Sequence, residues 1–416
     1  MSSVPKKIRV AIVVSHPIQH FVHLYKALAK CDVIDLKVFY CSKIGAKPYF
    51  DKNMNIEIQW ASDLLGGYAH EFLPEADNIK ESGFLKINNP SVVAILKDFN
   101  PDVVQLHGYA QLTLLRTLVW CKIKHIPVLL WSDSSLLFRR ARWKLLIKDM
   151  FLPKLLGLFN GVLSTGDNNT AYYSNYGVKP ARIFRCPFTV DEALLGQANN
   201  EKAKLRVQVR ARYEIENNEV VLLFVGKLVS WKRPQDILDA LLTAQRKLGS
   251  RVKLVAFFAG NGVLLQELKT RAESQHLRAI FAGFINVDVL PTVYAMADVL
   301  VFPSEREPYG LSAREAICLG LPLIVSDQIG CVGVNDAARS QQNTLIYQSM
   351  NVEALSDSIV SLVNNPEKIR SMATSSLAIA LEMGVDCSVA GFVNAVKSVC
   401  MKTVNDMGSG ISYEHN

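Results

Sequence analysis

Residues 297–327 read ADVLVFPSEREPYGLSAREAICLGLPLIVSD. The run Val299-Leu-Val-Phe302 is short and apolar, stops at Pro303, and reads as a buried strand. Pro308-Tyr-Gly310 is a turn signal, and Leu311 to Leu319 then carries helical spacing closed by Gly320 and Pro322. Leu323-Ile-Val-Ser326 is a second buried strand. Strand, loop, helix and strand in this order make the unit of a parallel sheet. Two carboxylates flank the turn, Glu307 in the loop and Glu315 in the second helical turn. An acid at a helix start complements the macrodipole, which explains one glutamate but poorly explains Glu315, deeper in. The amides of Gly310, Leu311 and Ser312 lie between the two, open to an anion because the first turn of a helix has no internal acceptors.

The same alternation runs through the chain. In the first half, strands are predicted at Ile8–Ser15, Ile34–Tyr40, Val103–His107, Val128–Trp131 and Gly161–Thr165, with helices such as His20–Lys30 and Pro90–Phe99 between them. In the second half they are predicted at Val220–Val225, Val252–Ala259, Ala279–Ala282, Val299–Phe302 and Leu323–Ser326. The helix Pro234–Leu248 is well marked, with proline at its first position and Ile237, Ala240, Leu241, Ala244 and Leu248 on one face. At 416 residues the chain is too long for one ordinary core. It reads as α/β, two doubly wound Rossmann-like domains facing each other across a cleft. Residues 1–186 form the first, residues 187–399 the second, with a last helix expected to return to the first, and residues 400–416 a tail, frayed over Asn405–Asn416. The seam falls near Cys186-Pro-Phe-Thr-Val-Asp191, before the polar stretch Gln197–Asn218.

With 50% hydrophobic and 20% charged residues, the composition is that of a soluble globular protein. No apolar run approaches the roughly 20 residues of a spanning helix, and Val10-Ala-Ile-Val-Val14 is too short for a signal core. The expectation is a cytoplasmic protein. None of the eight cysteines forms a Cys-x-x-Cys pair or neighbours histidines at zinc spacing, so they read as packed free thiols and no metal is expected. Residues 1–186 carry 24 Lys and Arg against 14 Asp and Glu, while the remainder carries 22 against 24. The basic excess of the first half points to an anionic partner such as a membrane surface, a lipid-linked phosphate or an acidic glycan, and not to nucleic acid; ordinary surface variation explains it equally well.

In Phe224-Val-Gly-Lys-Leu-Val-Ser-Trp-Lys-Arg-Pro234, Lys227 and Lys232 follow the first strand of the second half, where doubly wound folds hold phosphate. They read either as a grip on a diphosphate or as two solvated lysines. The segment from Phe138 to Lys154 is basic and apolar together. It fits a helix facing its own core with solvated arginines, or one lying at the inner face of an anionic membrane, a peripheral contact through residues 138–154.

Residues 219–335 resemble the C-terminal domain of retaining, nucleotide-sugar-dependent glycosyltransferases of GT-B architecture, the family-four group (glycosyl transferases group 1). The resemblance is carried by Gly226, Lys227 and Lys232, then Gly260-Asn-Gly262 and Phe281-Ala-Gly-Phe284. It continues through Leu290-Pro291, Tyr294 and Ala297-Asp298, the Glu-x7-Glu of Glu307 and Glu315, and Gly320-Leu-Pro-Leu-Ile-Val-Ser-Asp327. The first half matches more loosely, through His16-Pro-Ile-Gln-His20, Pro101-Asp-Val-Val-Gln-Leu-His107 and Tyr176-Gly-Val178 with Pro187.

The resemblance implies a nucleoside diphosphate sugar as donor substrate, no cofactor, no metal, and a glycan, lipid-linked or small-molecule acceptor held by residues 1–186. The product implied is a cell-surface polysaccharide or other glycoconjugate. Glu315 is then expected to bind both ribose hydroxyls, and Glu307 the donor sugar. Gly226, Tyr309, Gly310, Leu311 and Ser312 would contact the donor, and Lys227 and Lys232 the departing diphosphate. Glu307, His107 and Lys232 are the expected catalytic group. Relatives often carry a glycine pair after the first strand; here Ser15–His20 has none, so His16, Gln19 and His20 are expected to make side-chain contacts on the acceptor side. Two rivals stand beside it, a sugar-nucleotide 2-epimerase of the same architecture and a non-catalytic sugar-nucleotide-binding partner; the combination of Lys227 and Lys232 with Glu307 and Glu315 argues against both.

Overall fold

In a computed structural model describing residues 6–137 and 142–408, the apolar runs become parallel strands and the amphipathic stretches the helices that cover them. The first sheet holds β1 (Ile8–Val14), β2 (Ile34–Tyr40), β5 (His70–Phe72), β6 (Val103–His107), β7 (Val128–Trp131), β8 (Gly161–Ser164) and β9 (Ile183–Arg185). Their order is β5-β2-β1-β6-β7-β8-β9, every pair parallel. A short antiparallel hairpin, β3 (Tyr49–Asp51) and β4 (Ile56–Ile58), stands outside it.

The second sheet holds β10 (Glu219–Val225), β11 (Lys253–Ala259), β12 (Ala279–Gly283), β13 (Val299–Phe302), β14 (Leu323–Ser326) and β15 (Thr344–Tyr347), in the order β12-β11-β10-β13-β14-β15 and again all parallel. Strand order reverses beside β1 and beside β10, and open sheets of this kind bind ligands at the carboxyl edges of such strands.

The central strands are continuous apolar runs because helices cover both faces of each sheet. One apolar cluster packs the outer face of the first sheet and another that of the second. A third is shared, running from Ile12 and Tyr25 through Cys186, Phe188 and Val190 to Leu223, Leu300 and Phe302. The two domains are therefore seated on common core. At the seam, Arg185 Nη2 donates to the buried Asp336 Oδ1 at 2.7 Å.

The polar stretch after the seam forms two helices, Glu192–Asn200 and Lys202–Arg212. The second is tied down by Arg210, 1% exposed, whose guanidinium donates to Asp298 Oδ2 at 2.7 Å and to the Met296 carbonyl at 3.1 Å. Asp298 also accepts from the Val221 amide at 2.7 Å, which ties β10 to the start of β13.

The last helix, Val385–Gly408, crosses back to the first domain and lies along β8, β9 and the helix Gln19–Ala29. Ser388 Oγ donates to the Pro187 carbonyl at 2.8 Å. This helix continues past Val399 to Gly408, and residues 409–416 lie outside the described residues. The expectation that no stretch could span a membrane needs correction. Pro366–Met401 is long and apolar enough by composition. It is two helices, Pro366–Glu382 and Val385–Gly408, and Ile379, Met383, Phe392, Ala395, Val396 and Val399 are buried against the domains.

Of the basic, apolar segment, Phe138, Arg139, Arg140 and Ala141 lie outside the described residues. The helix Arg142–Gly157 turns Leu152 and Leu156 to the core and leaves Leu146, Met150 and Phe151 exposed.

Candidate active site

The loop between β13 and the helix Leu311–Cys318 is held from beneath by the segment after β14. The Glu307 amide donates to the Gln328 carbonyl at 3.3 Å, the Gly330 amide to the Glu307 carbonyl at 3.0 Å, and the Cys331 amide to the Tyr309 carbonyl at 2.7 Å. Gly310 caps the helix at φ 109°, and a Cβ there would meet Phe302 at 2.9 Å and Ile329 at 3.0 Å. Only glycine fits so tight a left-handed turn. Inside the helix, Arg314 is fully buried and donates to Glu192 Oε1 at 3.0 Å and the Met383 carbonyl at 2.8 Å. The helix thus hooks its inner face to the seam and presents Glu315 and its first-turn amides to the cleft.

A cavity of about 420 Å³ opens between the carboxyl edges of the two sheets. Gln19, His20, Gly226, Lys227, Lys232, Glu307, Tyr309, Gly310, Leu311, Ser312 and Glu315 all line it. A second compartment of about 280 Å³ shares Gln19, His20, Leu311 and Glu315 and continues toward Asp191 and Tyr294. Lys232 Nζ pairs with Glu307 Oε2, both side chains largely buried. Lys227 Nζ donates to Asp51 Oδ2 of the β3–β4 hairpin at 2.7 Å. The β10 loop can approach its neighbour this closely because residue 260 is glycine: a Cβ there would stand 1.8 Å from the Gly226 carbonyl oxygen.

Burial pushes the Glu315 carboxyl up to about 7, against a hydrogen bond from the Tyr294 hydroxyl at 2.7 Å and the nearby Arg314 charge. Burial also lowers His20, to about 3, with the neighbouring His16 and His23 adding to the effect, so His20 is a neutral ring at physiological pH. Its ring stands edge-on to Phe188 with centroids 4.8 Å apart. Gln19 Nε2 and the Tyr309 hydroxyl are buried with no protein partner.

Two of the expected residues do not line this cavity among the described residues. His107 bonds the Tyr25 hydroxyl through Nε2 at 2.8 Å and stacks on Trp131, and burial lowers it to about 3. It sits at the carboxyl edge of β6, as expected, but the helix Gln19–Ala29 brings Phe21 and Tyr25 over its ring. His16 Nδ1 is engaged by Ser15 Oγ at 2.8 Å.

The sequence reading missed Asp51, Trp60, Asp133 and Phe188. Asp133 follows β7 and projects into the cavity; burial raises its carboxyl, and the charge of Glu307 across the cleft raises it further. Its loop is pinned on both sides, by Ser132 Oγ against the Tyr173 hydroxyl at 3.0 Å and by Asn169 Nδ2 donating to the Ser134 carbonyl at 2.6 Å. The available signal was an acid just beyond a central strand's carboxyl edge.

Residues 206–376 match the family described as Glycosyl transferases group 1. An uncharacterized glycosyltransferase of Methanocaldococcus jannaschii is 32% identical over 132 residues, 31% of this chain and 33% of that protein. A D-inositol 3-phosphate glycosyltransferase of Rhodococcus erythropolis is 26% identical over 254 residues, 59% of this chain and 55% of the other. The chain thus spans between a third and just over half the length of these curated relatives. Among solved structures, the Anabaena protein HepE in complex with UDP and glucose superposes with a TM-score of 0.64 at 15% identity, covering 97% of this chain and 100% of that one. A glycosyltransferase from Rickettsia africae gives 0.68 at 14% identity, covering 94% and 98%. At these identities the likeness shows the fold: two Rossmann-like domains in the GT-B arrangement.

Proposed function

Since the chain carries a glycosyl transferases group 1 domain on a GT-B frame, we propose that it is a retaining, metal-independent glycosyltransferase. It moves a sugar from a nucleoside diphosphate to a hydroxyl of a glycan, lipid-linked or small-molecule acceptor in glycoconjugate synthesis. The observation that carries the reading is the convergence of Lys227, Lys232, Glu307, Glu315 and the opening turn of the helix Leu311–Cys318 on one cavity. Breaking the bond between the anomeric carbon and the diphosphate oxygen leaves negative charge on the diphosphate and positive character on the sugar. Two ammonium groups and the helix amides answer the first, and the Glu307 carboxylate the second. Glu315, a bidentate acceptor with its back to Tyr294, suits a ribose diol.

The acceptor approaches from the first domain. Asp133 faces Glu307 across the cavity and is placed to hydrogen-bond the attacking hydroxyl and draw its proton as the new bond forms. The basic first domain suits a phosphate-bearing acceptor. The exposed Leu146, Met150 and Phe151 suit peripheral contact with the inner face of a membrane, from the cytoplasm.

The test is thermal stability with UDP, GDP, ADP and CDP in EDTA, on wild type and Glu315→Ala. Nucleotide at a hundred times its Kd stabilises by about 2.7 kcal/mol. A shift for one nucleotide that the variant loses supports the reading, and no shift for any overturns it. Release of an epimerised nucleotide sugar without acceptor would assign the chain to the epimerases instead.

A further inference from the structure

Between β2 and β5 the chain leaves the first domain, makes the β3–β4 hairpin and returns through residues 59–65. This excursion touches the second domain at two places. At the first, Asp51 Oδ2 takes Lys227 Nζ at 2.7 Å. At the second, the Asn286 side chain donates to the Gln59 carbonyl at 2.8 Å and accepts from the Ala61 amide at 3.2 Å, so it binds the flap backbone as a strand neighbour would. The Trp60 ring stands 6.0 Å from Phe284. Met54, Trp60, Lys227 and Phe284 all line the donor cavity, so the flap is one of its walls.

Asp51 is built into this position. It is 8% exposed, and its Oδ1 accepts from the amides of Asn53 at 2.9 Å and Met54 at 3.0 Å, which leaves Oδ2 aimed at Lys227. Burial works to raise this carboxyl, and the hydrogen bonds from Lys227 and the Met54 and Asn53 amides outweigh it, holding it below the ordinary range. On the donor reading above, Lys227 also meets the diphosphate. Two anions sharing one ammonium at hydrogen-bond distance would stand roughly 4–5 Å apart, close enough to repel strongly in a part-buried cleft.

We propose that residues 49–63 are a latch on the donor site, in which Asp51 holds the place of a nucleoside diphosphate on Lys227 and the arriving diphosphate displaces it. Donor binding and release of the flap are then one anion exchange, and recapture of Lys227 by Asp51 helps expel the spent nucleotide.

The latch rests on the nucleotide-sugar reading, and one experiment separates the two. UDP, GDP, ADP and CDP are titrated calorimetrically into the full chain as wild type, Asp51→Asn and Lys227→Met. Hydrogen exchange of residues 49–63 is followed with and without the nucleotide that binds. Asparagine keeps the Oδ1 acceptor for the two hairpin amides, so the flap's own fold is retained, and slow exchange there in the empty variant checks this.

The latch requires opposite signs. Asp51→Asn binds nucleotide about three- to tenfold tighter, because a competing carboxylate is gone, and Lys227→Met binds it more weakly. In wild type, the Ala61 amide, which Asn286 of the second domain accepts, exchanges faster when nucleotide is bound. Weaker binding by both variants, or unchanged binding by Asp51→Asn, overturns the latch and leaves the donor site standing; so does protection of 49–63 by nucleotide. Binding by neither wild type nor Asp51→Asn overturns the donor reading and the latch together.

Discussion

Replacing Glu315 with glutamine is expected to do two opposite things: stabilise the empty protein above pH 7 and weaken its hold on nucleotide. Burial raises this carboxyl from 4.5 to about 7 in the folded chain. A raised acid favours the folded state fully only below its unfolded value, and that contribution is lost as pH climbs through about 7. At pH 8 the buried carboxylate therefore costs up to about 3 kcal/mol, as a ceiling. Glutamine carries no charge and can still accept from Tyr294, so Glu315→Gln should gain about 1–4 °C in Tm at pH 8 and nothing near pH 4.5. Binding runs the other way. A ribose diol donates two hydrogen bonds to the ionised form, and with a value near 7 that form makes up about a tenth of the empty protein at pH 6 and about nine-tenths at pH 8.

Wild-type affinity for the preferred nucleotide should accordingly rise about tenfold more than that of Glu315→Gln between pH 6 and pH 8. The variant shares any titration of the diphosphate itself, so the ratio of the two isolates Glu315. Calorimetric titration at three pH values and thermal melts of both proteins measure it. A wild-type-to-variant ratio that stays flat with pH, or a variant less stable than wild type at pH 8, would refute the assignment of Glu315 as a buried carboxylate awaiting a diol.

Lys232→Ala should lower kcat/KM about 10²–10³-fold with the donor that binds, and adding Glu307→Gln should cost less than its separate effect, since the two side chains are paired. Asp133→Asn should leave nucleotide Kd within about twofold and slow transfer about 10²-fold or more, while the slow hydrolysis of donor by water is spared; equal loss of nucleotide binding would assign Asp133 to the donor instead. Wild type should float with vesicles rich in phosphatidylglycerol and not with neutral ones, and serine at Leu146, Met150 and Phe151 should abolish flotation; flotation untouched by the triple change removes the membrane contact.

The central strands were legible because each is buried on both faces and writes a continuous apolar run; β2, β6, β7, β13 and β14 begin and end where the sequence places them. The edge strands β5, β9 and β15 were not. Each has only three or four residues, too short a run to read, whereas the five-residue edge strand β12 was placed to within one residue. In the site, Glu307, Glu315, Lys227 and Lys232 were legible because one domain supplies them all from loops beside adjacent strands. Asp51 was not, because its partner Lys227 lies 176 residues away and the contact exists only once the two domains meet. Asp133 failed for the same reason, being the first domain's contribution to the second domain's cavity. His107 shows the converse: the resemblance put it in the catalytic group, and in the fold Phe21, Tyr25 and Trp131 pack around its ring.

The two lysines of the cleft are both matched by carboxylates, but their partners differ in what can move. Glu307 belongs to a loop fastened by three backbone hydrogen bonds to residues 328–331, so it stays beside Lys232 when a donor arrives. Asp51 rides on a two-stranded hairpin, a unit with little stability of its own, which meets the second domain through the flap contacts. A cavity whose two lysines already meet carboxylates, with Asp133 and Glu315 lining it besides, has no ammonium to spare for a diphosphate unless one carboxylate withdraws, and the hairpin's can. Exchange of one anion for another also changes few counter-ions. Nucleotide affinity should therefore fall only shallowly with added salt in wild type and more steeply in Asp51→Asn, where the diphosphate meets an unpaired lysine.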